Sequence, residues 1–97
     1  MAEANVTTDH ETIRRWAEAR GAHPATVKAT KRKNEPGVLR LDFEPEQEEG
    51  LEPISWDEFF SKFDHERLAF LYQDKTDDGS VSRFHKFVNR STAGARH

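Results

Sequence analysis

Five histidines, eighteen carboxylates, fifteen lysines and arginines and no cysteine are the side chains from which any chemistry in this 97-residue chain must be built. His10, His23, His65, His85 and His97 show no helical pair four residues apart and no finger-like spacing. Asp9-His10-Glu11 and Asp64-His65-Glu66 repeat a triplet, but adjacent residues on a helix or turn point in different directions, so no metal site is expected. Without cysteine, disulfides and thiolate metal centres are excluded. The chain has no G-x-S-x-G elbow and no glycine-rich phosphate loop. Ser55 is committed to capping a helix, and Ser80 and Ser82 flank a hairpin turn. None of the acids is singled out by an apolar setting that would raise its pKa. These residues predict a protein that is not an enzyme and takes no cofactor.

The basic side chains cluster more suggestively. Arg14, Arg15 and Arg20 on the first predicted helix precede Lys28, Lys31, Arg32 and Lys33 on the hairpin that follows. If they converge, they form a basic face that the net charge of −3 conceals, and nucleic acid becomes a possible partner. The stretch IRRWAEARG is similar to the IREWAxxxG helix in the DNA-binding domain of small nucleoid-organising proteins. The groove-reading segment that should follow is replaced here by a predicted strand. The competing reading is a solvated helix face paired with acidic neighbours. Arg20 stands apart because it shares a stripe with Ile13, Trp16 and Ala17. Its stem is expected to cover apolar surface while its charge meets the helix C-terminus; the alternative is an anchor for a carboxylate ligand or partner.

The elements that must position these residues can be read from periodicity. Thr8-x-x-Glu11 reads as a capping box opening a helix over residues 8–20, with Gly21 and Pro24 marking its end. Residues 25–30 and 38–43 alternate as two strands of an antiparallel hairpin around the polar loop 31–37. In the second of them Leu39, Leu41 and Phe43 share one face, and Arg40 and Asp42 the other. Glu44, Glu46, Glu48, Glu49 and Glu52, with Pro45, Gly50 and Pro53, predict a solvated acidic loop over 44–53. A site for a cation or a basic partner is the alternative there.

Residues 54–72 hold four of the seven Phe, one of the two Trp and the only Tyr, so they are expected to centre the core. Ser55 and Glu58 form a capping box, and Ile54 and Phe59 a hydrophobic staple. Trp56, Phe59, Phe60 and Phe63 fall on one helical face. Asp64, His65 and Glu66 are read as the turn out, and 68–74 as a strand. Thr76-Asp77-Asp78-Gly79 suits a type I turn with a left-handed Gly bulge, which pairs Tyr72 with Phe84 and Leu68 with Val88. A two-residue Asp78-Gly79 loop would instead pair Phe70 with Phe87, and both registers stay open.

The expected fold is a single α+β domain over residues 1–90, with a loose lead-in at 1–6 and a disordered tail at 91–97. Its order is αββαββ, a two-layer arrangement of one antiparallel sheet with both helices packed on one face. No apolar run approaches the ~20 residues that cross a bilayer, and no secretory signal opens the chain. A monomeric, cytoplasmic protein with no membrane partner is expected.

Across TTDHETIRRWAEARGAHPATV, PGVLRLDF, ISWDEFFSKFDHERLAFLYQD and SRFHKFVNR, the chain resembles a family of small bacterial proteins of unknown function. Members of that family are sometimes labelled 1,4-alpha-glucan branching enzyme. The resemblance carries no catalytic residues, and a branching enzyme needs a barrel of about 250 residues. The expected function is a noncatalytic binding or adaptor domain with a protein partner.

Overall fold

A computed structural model describes residues 4–30, 37–44 and 49–91. In chain order the elements are β1 (Ala4–Thr7), α1 (His10–Ala19), β2 (Ala22–Val27), β3 (Leu39–Phe43), β4 (Leu51–Pro53), α2 (Trp56–His65), β5 (Leu68–Gln73) and β6 (His85–Asn89). The class is α+β, as expected. The order αββαββ and the single sheet are not what is found. Instead the strands form two antiparallel sheets of three, ordered β1-β5-β6 and β3-β2-β4.

Two strands that periodicity does not mark account for the difference. The supposed lead-in supplies β1, which pairs with β5 from Ala4↔Gln73 to Thr7↔Phe70. It is an outer strand with exposed residues on both faces, so it carries no apolar alternation. Within the stretch read as an acidic loop, β4 pairs with β2 from Val27↔Leu51 to Ala25↔Pro53. Expectations for residues 1–3, 31–36, 45–48 and 92–97 lie outside the described residues.

Because β1 holds Thr7 in its ladder, Thr8 only connects, and the cap of α1 moves to Asp9. Its Oδ2 accepts from the Thr12 amide at 2.9 Å and the Thr12 hydroxyl at 2.6 Å. Glu11 therefore takes no part in a capping box and pairs with Arg14 and Arg15 instead. The helix ends into Gly21, whose φ of 71° suits a residue without Cβ. At α2 the expected box is present in full, Ser55 and Glu58 bonding reciprocally. This helix runs through His65, farther than expected, and Arg67 follows in the left-handed region at φ 53°.

Strand β2 starts earlier than the pattern suggests, and Pro24 lies inside it. The missing N–H costs no bond to β3. Opposite Leu41 it would point away from β3, and on the other side the Pro24 carbonyl accepts from the Ile54 amide as β4 ends. Residues 28–30 leave the sheet in a 3-10 turn, and Thr26 is fully buried with its hydroxyl on the Val38 carbonyl.

Ile13, Trp16 and Ala17 of α1 meet Phe59, Phe60 and Phe63 of α2 over Leu39, Leu41 and Phe70. Each buried Phe contributes about 1.5–3 kcal/mol. Helix α2 packs on β5 of one sheet and on β2 and β3 of the other, while α1 packs on β2. Trp16 joins the sheets too, its ring edge-on to Phe43 of β3 and to Phe70 and Tyr72 of β5. The helices and their aromatics therefore carry the link between two sheets that share no ladder.

Candidate functional site

The residues singled out by charge have distinct fates. Arg14 and Arg15 flank Glu11 on α1, at 2.6 and 2.9 Å from its two oxygens. Lys28 is exposed at the start of the 3-10 turn. Lys31, Arg32 and Lys33 fall outside the described residues.

Arg20 points inward, its side chain only 8% exposed. Nη1 donates to the Trp16 carbonyl at 2.9 Å, which is the expected meeting of charge and helix C-terminus. Nε donates to the Ser82 carbonyl at 2.5 Å and Nη2 to the Asp74 carbonyl at 2.8 Å. The guanidinium also lies 4.3 Å from the centre of the Trp16 ring. Burial pushes its pKa below the ordinary arginine value, opposed by the Asp74 charge.

What Arg20 holds is a slip in the β5–β6 hairpin. The type I turn with its Gly bulge is present: Gly79 donates to the Thr76 carbonyl, Thr76 to the Ser80 carbonyl, and Gly79 has φ 87°. Beside the turn, Lys75 bridges Val81, which continues the Tyr72–Phe84 register. Along the ladder, however, Phe70 pairs with Phe87 and Tyr72 with His85. The expected pairs Tyr72–Phe84 and Leu68–Val88 are therefore not formed: the ladder keeps the Phe70–Phe87 register, and residues 82–84 absorb the extra residue as a bulge between it and the turn. The Ser82 hydroxyl, donating to Gln73 and accepting from the Phe84 amide, closes it.

The repeated acidic-histidine triplets contribute one cluster jointly. His10 of the first lies 2.9 Å from Asp64 of the second, whose other oxygen accepts from Arg90 at 3.0 Å. The imidazole is stacked on Phe60 at 4.1 Å, and Arg90 also donates to the Leu68 carbonyl. Every partner here ties the start of α1 to the end of α2 and to the strand ends. Burial alone pushes the Asp64 carboxyl up, but bonds from Arg90 and His10 and their charges leave it below the usual range.

A cleft opens where the two sheets face each other. Strands β3 and β6 are edge strands of different sheets. At one end their side chains meet: the Phe43 ring lies 5.6 Å from that of His85, and Arg83 sits 5.2 Å over Phe43. At the other end lies a half-open cavity of about 440 Å³, lined by Val38, Leu39 and Arg40 on one side and by Leu68, His85, Lys86 and Phe87 on the other. That volume is within the ~300–1,000 Å³ range of ligand sites.

Leu39, Leu68 and Phe87 belong to or pack on the core, and Val38 is 46% exposed beside them. Arg40 and Lys86 are exposed, and among the described residues neither has a carboxylate at ion-pair distance. Burial of the His85 ring, with a smaller push from Arg40, lowers its pKa against the opposing bond to the Arg83 carbonyl. The alternation of Leu39 with Arg40 and of Phe87 with Lys86 is visible in the sequence; that β3 and β6 face one another is not.

Comparison of the chain with protein families, with curated proteins and with solved structures found no match.

Proposed function

We propose that this chain is a noncatalytic binding domain and that the cleft between β3 and β6 is where it binds. The observation that carries this reading is the coincidence, in one cavity of about 440 Å³, of an apolar floor, two strand edges and two cations that have no carboxylate at ion-pair distance among the described residues. The other conspicuous groups already have structural partners. Arg20 is occupied by three main-chain carbonyls, and His10, Asp64 and Arg90 by one another. The partner is a protein, and the second reading, nucleic acid held by Arg14, Arg15 and Lys28, is separable from it.

A two-dimensional NMR titration of the full-length protein with short peptides and, separately, with duplex DNA tests the choice. Peptide-induced shifts at Leu39, Arg40, Leu68, Lys86 and Phe87 are expected. Shifts only with DNA, centred on Arg14, Arg15 and Lys28 and suppressed by salt, would overturn it in favour of the nucleic-acid reading.

A further inference from the structure

We infer that the cleft takes an extended segment of a partner protein, alternating apolar and acidic residues, which adds as a strand at the open end of the seam. This rests on the reading of the cleft as the binding site.

The main chain supplies the first argument. In an antiparallel ladder, alternate residues turn both N–H and C=O toward the neighbour and the others turn theirs away. Val27 donates to Val38 and Glu44 to Gly21, so Arg40 and Asp42 are the β3 residues bonded to β2. Leu39, Leu41 and Phe43 direct theirs out of the edge. On β6, Gln73 donates to Phe84 and Arg90 to Arg67, so Lys86 and Val88 face β5 while His85 and Phe87 face out. Leu39 and Phe87, from opposite walls of the cavity, thus both offer main-chain groups to it. An extended peptide is the ligand whose own groups match such an edge.

The side chains supply the second. Those of Leu39 and Phe87 lie on the helix-covered face, and the strand period places those of Arg40 and Lys86 on the other. A strand between them directs successive side chains to the same two faces. The residue toward the core meets Leu39, Leu68 and Phe87 and is best apolar; its neighbours meet Arg40 and Lys86 and are best acidic. Charged edge residues discourage indiscriminate edge pairing, and here they select a strand of opposite charge. A nucleic-acid backbone would answer the two cations but neither the apolar floor nor the strand edges.

The test is selection of a random-peptide phage library on the full-length protein, with the recovered peptides measured against the Arg40→Glu, Lys86→Glu double variant. Equal thermal midpoints would establish that the variant is folded. Recovered peptides are expected to alternate apolar and acidic residues and to lose at least about tenfold in affinity on the variant. Peptides without acidic residues that still shift Leu39 and Phe87 resonances would overturn the acidic strand and leave the cleft as the site. No enrichment, or peptides mapping elsewhere, would overturn both, as would duplex DNA binding that the same variant abolishes.

Discussion

Phe43 and His85 stand ring to ring at 5.6 Å on strands that belong to different sheets. Trp16 lies edge-on to both, at 6.3 and 5.6 Å, so one helix residue pins the closed end of the seam. Among the described residues the open end has no such pin. The site proposed here follows from that asymmetry: one end of the seam is filled by the protein's own aromatics, and the other leaves room for a partner's residues.

Replacing Arg20 should destabilise the fold without touching the cleft. Its three main-chain bonds hold the bulge against α1. Charge-assisted bonds are worth more than neutral ones but here repay a burial cost, so Arg20→Met should cost about 2–4 kcal/mol. Arg20→Lys should recover only part, because an ammonium cannot reach three divergent carbonyls as the planar fork does. Urea denaturation of both variants checks this; a lysine variant as stable as the wild type would contradict it.

Acid should loosen the junction at Asp64. Its folded pKa is below the ordinary 3.8, so the stabilisation is fully present above that value and is lost as pH falls through the lower folded one. Asp78, held at about 2 first by the Thr76 hydroxyl and then by the Ser80 amide, acts in the same direction in the turn. Stability measured in urea between pH 5 and 2 should therefore fall less steeply for Asp64→Asn than for the wild type. Parallel curves would show that the pairs with His10 and Arg90 contribute nothing, the usual outcome for exposed ion pairs.

Arg67 occupies a left-handed position at the end of α2 with φ 53°, where a side chain carries a steric cost. Its main chain, receiving the Arg90 amide and donating to the Asp64 carbonyl, is retained in any substitution. Arg67→Gly should raise stability by about 0.5–1 kcal/mol. Thermal unfolding measures it, and a lowered midpoint would mean that the arginine side chain contributes more than the strain costs.

Both helices were legible because each announces itself twice, by a cap and by an apolar stripe. The Ser55–Glu58 box and the Phe59-Phe60-Phe63 face needed no tertiary information. The cap of α1 was displaced from Thr8 to Asp9 because a strand ends at Thr7, and that strand is defined only by its partner β5. The same holds for Leu51–Pro53, which is too short to alternate and is recognisable only beside β2. Arg20 shows how much a local pattern can convey: its stripe with Trp16 indicated an inward stem. Its bonds to Ser82 and Asp74, 62 and 54 residues away, could not be foreseen. The cleft was invisible for the same reason, since it exists only through the order of strands.

The most direct test of the cleft is amide hydrogen exchange on the full-length protein, alone and with a synthetic Val-Glu-Val-Glu-Val peptide. Alone, the outward-facing amides of Leu39 and Phe87 should exchange faster than those of Arg40 and Lys86, which lie in ladders. With the peptide, Leu39 and Phe87 should become protected while Arg40 and Lys86 change little. Protection confined to β1 or β4, or no protection at either edge of the cleft, would contradict the account.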